Sequence, residues 1–165
     1  MKPLAVDLPY PDLSGIKPDK KTATEVFPLY SSAESELSAI LQYVYHALHF
    51  GEQREFEIAK ILTEIAVCEM EHLKILGKLL IKLGANPVYY DVMRADYFCA
   101  KDVSFTRTPK RMLLDDVSGE IKAERAYERA IEKIEDEEVG AVLTRLKMDE
   151  SLHITALKGL LEQMK

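Results

Sequence analysis

Glu69-Met70-Glu71-His72 and Asp149-Glu150-Ser151-Leu152-His153 decide the reading of this 165-residue chain, because each sets a glutamate three residues ahead of a histidine. On an α-helix, positions i and i+3 share a face. One such pair means little among 28 acidic residues, since a lone Glu-x-x-His usually lies on a solvated surface. Two of them, far apart in the chain, call for partners.

The partners exist. Glu36 is followed seven residues later by Tyr43, and Glu120 seven later by Tyr127. Beyond each histidine leucines recur at the same offsets: Leu76, Leu79 and Leu80 after His72, and Leu157, Leu160 and Leu161 after His153. A duplicated helical hairpin explains the repeat. Two residues at one level of an antiparallel hairpin must be equidistant from its turn. The midpoint of Glu36 and Glu69 falls at Gly51-Glu52, and that of Glu120 and Glu150 falls beside Asp136. With a rise of about 1.5 Å per residue, all four glutamates stand roughly 20 to 25 Å from their turns, in one layer at mid-bundle.

The surrounding sequence supplies the helices. Ser31-Ser32-Ala33-Glu34 has the form of a capping box, and Leu37, Ile40, Leu41, Val44 and Leu48 follow at helical spacing up to Gly51. A longer pattern runs from Glu52 through Phe56, Leu62, Ile65, Leu73 and Leu80 to Gly84-Ala85-Asn86-Pro87, a glycine cap followed by proline. Residues 85 to 108 lack a stripe and carry Val88, Tyr89, Tyr90, Tyr97, Phe98 and Phe105, which predicts a long aromatic-anchored crossover. The third helix opens near Pro109 and the fourth near Val139, with the turn at Asp136-Glu137-Glu138. The prediction is an all-α four-helix bundle with one long crossover between its second and third helices, over residues 31–165. Residues 1–30, with five of the seven prolines, read as an N-terminal arm without helical periodicity.

Composition narrows the function. The chain carries 22 Lys+Arg against 28 Asp+Glu, a net charge of −6, and has no dense basic cluster, which argues against nucleic acid. It has no long apolar run, and it starts Met1-Lys2-Pro3 without an apolar signal core, so the expectation is a cytoplasmic protein that does not engage a membrane. Cys68 and Cys99 form no CxxC and read as free thiols. Four glutamates and two histidines converging in an apolar interior would be very costly unless neutralised, and divalent cations do that. Bridging carboxylates suit iron or manganese, and one imidazole per metal leaves positions open for oxygen or peroxide.

The run from Glu36 to Tyr43, Glu69-Met70-Glu71-His72, Glu120 with Tyr127, and Asp149-Glu150-Ser151-Leu152-His153 resemble the ferritin-like superfamily, above all its rubrerythrin, bacterioferritin and manganese-catalase-like members. The resemblance implies one half-site of Glu36, Glu69 and His72, another of Glu120, Glu150 and His153, and Glu69 and Glu150 as bridges. It also implies that Asp149 hydrogen-bonds His72 and fixes its tautomer, while Cys68, at the corresponding place in the other half, is a poor acceptor. Tyr43 and Tyr127 point to the ligand side as carboxylate donors. The expected activity is that of a di-iron oxidoreductase of rubrerythrin type reacting with peroxide or dioxygen and re-reduced by an external electron-donor protein. The alternatives are a manganese-catalase-like dismutase holding two manganese ions, or an iron-binding ferroxidase. The chain stops 12 residues after His153, which disfavours a storage cage. Met70 sits where bacterioferritins carry a haem ligand, but the rest of that pattern is missing, so it reads as packing and haem is not expected. Glu124 reads as a surface ion pair with Lys122, Arg125 or Arg129, His46 and His49 as lying outside the site, and the assembly as a homodimer.

Overall fold

The structure, a computed structural model, describes residues 2–164. Four long helices make the bundle: α2 (Glu36–Glu52), α3 (Phe56–Lys82), α4 (Pro109–Lys133) and α5 (Glu137–Gln163), preceded by the shorter α1 (Lys20–Ser31). α2 pairs with α3 and α4 with α5, the two hairpins that the repeat requires. The ends follow local chemistry. Ser35 caps α2 by accepting from Ser38 N, and Asp136 caps α5 by accepting from Glu138 N and Val139 N. α3 stops at Gly84, whose φ of +83° suits a residue without a Cβ. Gly84 N donates to Ile81 O at 3.0 Å and Ala85 N to Leu80 O at 2.8 Å, closing the last turn.

Three local expectations need correction. The arm is not wholly non-helical, because α1 occupies residues 20–31. Asp19 caps it, and Val26, Leu29 and Tyr30 bury their side chains among Leu76, Leu79, Leu80 and Leu143. Tertiary burial thus outweighs the single proline inside that helix, Pro28. The capping serine of α2 is Ser35, not Ser31, which ends α1 and donates to Tyr90 O. The aliphatic stripe of α2 faces outward: Leu41 is 39%, Val44 43% and Leu48 70% exposed, while Glu36, Tyr43, His46 and Phe50 face the core.

The crossover is ordered by a two-stranded hairpin, β1 (Tyr90–Asp91) with β2 (Asp96–Tyr97), and one 3-10 turn at Ala100–Asp102. It lies over its own bundle, with Tyr89 stacked on Tyr30, Phe105 O accepting from Tyr45 OH, and Ser104 N donating to Gln42 Oε1. The apolar core falls into two clusters. One joins α1 to the C-terminal halves of α3 and α4 and the start of α5; the other joins α2, the first half of α3, Met112 and Leu113 of α4, and Leu157 and Leu160 of α5. Between them lies a layer of polar side chains. Among the described residues no helix is long and apolar enough to cross a membrane.

Candidate metal centre

The polar layer consists of Glu36, Glu69, His72, Glu120, Glu150 and His153, none more than 3% exposed. All six come from mid-helix positions except Glu36, which opens α2. They form two groups of converging donor atoms: Glu36, Glu69, His72 and Glu150 in one, Glu69, Glu120, Glu150 and His153 in the other. Glu69 and Glu150 belong to both. Glu69 turns Oε2 to His72 Nδ1 and Oε1 to His153 Nδ1, each at 2.8 Å. Glu150 spans the same gap less tightly, with Oε1 3.1 Å from His72 Nδ1 and Oε2 4.0 Å from His153 Nδ1. Glu36 Oε2 and Glu120 Oε2 close the two ends, each 3.7 Å from the histidine of its own group.

These atoms are close without being hydrogen-bonded. Both oxygens of Glu69, Oε2 of Glu120, Oε1 of Glu150 and Nδ1 of both histidines are buried with no hydrogen-bond partner. Buried polar atoms are rarely left so, because each forfeits its bonds to water. The separations explain the pattern: donor atoms about 2.1 Å from a shared six-coordinate ion stand about 3 Å apart along its edges. The donor atoms converge in two groups that share Glu69 and Glu150. A carboxylate and imidazole donor set of this kind fits iron or manganese, and the residues present fit a pair of divalent cations.

The charges lead to the same conclusion. Burial and the neighbouring Glu69 push the Glu36 carboxyl up to about 8. Burial together with Glu69, Glu120 and Glu36 raises Glu150 far above the usual carboxylate range. Burial acts against ionisation of Glu69 as well, but His153 and His72 outweigh it and hold this carboxyl well below its ordinary value. The two imidazoles are driven upward despite burial, chiefly by Glu69. Without cations, protons balance the carboxylates.

Surrounding residues fix these side chains. Tyr43 OH donates to Glu120 and Tyr127 OH to Glu36, so each half's tyrosine serves the other half's glutamate. Burial beside those carboxylates raises both phenols, which keep their protons. Asp149 Oδ2 accepts from His72 Nε2 at 3.0 Å, the contact expected of it. The His72 bond, the Val6 N–H and Arg145 overcome burial and hold the Asp149 carboxyl near 2. Cys68 is buried 3.4 Å from His72 Nε2.

Sequence reasoning missed three features. His153 Nε2 lies 2.8 Å from the carbonyl oxygen of Leu4; no pattern in a proline-rich arm signals a backbone acceptor. Tyr10 OH donates to Asp149 Oδ2 at 2.8 Å. His46, outside the donor groups as expected, pairs through Nδ1 with Asp116 Oδ1 at 2.8 Å, both fully buried, and Gln42 Nε2 donates to the same oxygen. The i to i+4 spacing of Asp116 and Glu120 on α4 was the available signal. His49 packs against Tyr45, and Met70 is 46% exposed. Glu124 also stays outside, but it accepts from Ser151 Oγ, while Lys122 and Arg129 face Glu34.

A cavity of about 290 Å³ between α2 and α4 has Glu34, Arg111 and Lys122 on its exposed rim and Glu36, Tyr43, Glu120 and Glu150 among its buried walls. Its buried walls thus include carboxylates of both donor groups.

The ferritin family profile, described as a ferritin-like domain, matches residues 29–165. The fold is similar to that of KatB, a manganese catalase from Anabaena PCC7120, with a TM-score of 0.86 at 22% identity, over 96% of this chain and 79% of that one. A second structure, of wild-type KatB, gives 0.87 with the same identity and coverage. No curated protein matches the sequence.

Proposed function

Because the chain belongs to the ferritin-like family, we propose that its buried glutamate and histidine layer holds two metal ions, manganese in preference to iron, and disproportionates hydrogen peroxide. The observation that carries this reading is the set of six partnerless buried donor atoms converging in two groups. The likeness of fold to a manganese catalase supports the dismutase over the rubrerythrin-type peroxidase. In the balanced reaction two peroxides yield two waters and one dioxygen, and no outside reductant is consumed.

When bound, the metal pair supplies the two-electron redox change and the Lewis acidity that break the O–O bond in one half-reaction and oxidise peroxide in the other. The chain supplies the rest. Glu69 and Glu150, shared by both donor groups, hold the two positions at a fixed separation. Glu36 and Glu120 cap the ends, restrained by Tyr127 and Tyr43. The histidines present Nδ1 inward because their Nε2 atoms are occupied by Asp149 and by the Leu4 carbonyl. The cavity between α2 and α4 admits peroxide beside Glu120 and Tyr43.

The test is metal content and oxygen evolution. Protein purified without chelator should hold two metal ions per chain, lost in Glu69→Ala/Glu150→Ala, and should release half a mole of dioxygen per mole of peroxide with no reductant present. Peroxide loss only with an added electron donor, and without dioxygen, would transfer the assignment to the di-iron peroxidase. Uptake of many irons per chain would transfer it to a ferroxidase. Failure to bind either metal after anaerobic loading would refute all three. Sedimentation would decide the homodimer, for which α2 offers the exposed Leu41, Val44 and Leu48 stripe.

A further inference from the structure

Residues 4–10 precede the stretch matched by the family profile, yet their backbone contacts one histidine of the metal centre directly and the other through Asp149. Leu4 is tethered to α3 by its N–H, 3.1 Å from Glu64 O, and its carbonyl accepts from His153 Nε2. Two residues on, Val6 N donates to Asp149 Oδ1 at 2.7 Å, and the other oxygen of that carboxylate holds His72. Arg145 grips the segment, donating to Val6 O and Leu8 O at 2.8 and 2.9 Å and pairing with Asp149 at 2.8 Å. The Tyr10 ring covers the guanidinium at 4.4 Å, and its hydroxyl donates to Asp149.

The duplication shows why the segment is needed. The first half's histidine, His72, is served by the acid that precedes the second half's motif glutamate, Asp149. The corresponding residue for His153 is Cys68, a poor acceptor whose sulfur is shared among His153, His72 and Asp149. A carbonyl only accepts, so the Leu4 contact requires a proton on His153 Nε2 and leaves Nδ1 as the atom that meets a cation.

We propose that the N-terminal segment from Leu4 to Tyr10 is a positioning element of the metal centre, holding both imidazoles with Nδ1 inward so that the second cation binds tightly only while the segment is docked. This rests on the two-metal reading. It gives the two positions unequal dependence on the segment: His72 keeps Asp149, itself held by Arg145, when the segment is loosened, whereas His153 loses its acceptor.

The experiment uses full-length protein and three forms of it: wild type, Leu4→Pro, which removes the N–H that ties the segment to Glu64, and Tyr10→Phe, which removes one hydroxyl. Metal-free samples labelled with nitrogen-15 at histidine report the Nε2–H protons directly. Wild type should show slowly exchanging Nε2–H signals for His72 and His153, and Leu4→Pro should lose that of His153 alone. Titration with manganous ion against a chelator should then give two tight sites in wild type. In Leu4→Pro one site should stay tight and the other weaken about 10- to 100-fold, the range for loss of a ligand's outer contact. In Tyr10→Phe both sites should be kept, with the His72 position weakened about 2- to 10-fold. Equal weakening of both sites in Leu4→Pro, or an unchanged His153 signal with two tight sites, would overturn the proposal. Should Leu4→Pro fail to fold, an unaltered His72 signal and unaltered affinities in Tyr10→Phe would overturn it too. If wild type bound no metal but showed the protected Nε2–H signals, the two-metal function would fall while the segment's hold on the imidazoles stood.

Discussion

Loading the centre with cations at neutral pH must expel protons, and the structure gives the groups that lose them. In the metal-free protein Glu36, raised to about 8, is roughly nine-tenths protonated at pH 7. Glu150, His72 and His153 are also shifted upward, well beyond their ordinary values, while Glu69 is already ionised. Ligands bind divalent cations only when Nδ1 is free and the carboxylates are charged, so loading two cations displaces more than one proton. By linkage the overall binding constant then climbs more than tenfold per pH unit near neutrality. Calorimetric titration of manganous ion into metal-free protein, in buffers of different ionisation heat, counts the protons from the slope of enthalpy against buffer heat. A series from pH 6.5 to about 7.5 gives the affinity slope independently. One proton or fewer released, with two cations bound, would refute the assignment of these side chains as ligands.

The same shifts set the stability of the metal-free protein. Histidines raised on folding contribute stability that is complete below about 6.5 and is lost as pH climbs through their folded values, and Glu36 adds a loss between about 4.5 and 8. Asp149, held near 2, contributes above its unfolded value and loses that as pH falls towards 2. Denaturant unfolding of metal-free protein should therefore be hardest at about pH 4 to 4.5; a maximum above pH 8 would contradict the charge assignments. The His46 and Asp116 pair is fully buried, so His46→Leu or Asp116→Leu alone should cost about 3–5 kcal/mol, and the double substitution much less than their sum. Additive losses in a double-mutant cycle would refute the pairing. Tyr127→Phe strips Glu36 of its donor and should cost about 1–3 kcal/mol in the metal-free protein, whereas an unchanged denaturation midpoint would show the contact to be idle. Gly84→Ala puts a Cβ at a φ of +83° and should cost about 1–2 kcal/mol, read from the thermal midpoint.

By itself the sequence determined the bundle, its single crossover and the six residues of the polar layer. Helical periodicity and a doubled Glu-x-x-His are local patterns, and distance from a turn fixes height along a helix without coordinates. Helix position also put Tyr43 and Tyr127 on the side of the layer, and the family resemblance added Asp149. Rotation about the helix axis was less legible: the aliphatic stripe of α2 reads as core, yet a glutamate bound for the interior turns Glu36, Tyr43, His46 and Phe50 inward and leaves Leu41, Val44 and Leu48 outside. Tertiary structure alone decided the exchange of tyrosines between halves, the helix that forms despite Pro28, and the Leu4 carbonyl that takes up His153. Each depends on groups brought together from far apart in the chain, and a backbone carbonyl is the same in every residue. A sequence can advertise a side chain that binds metal, but not the peptide bond that folding lays against it.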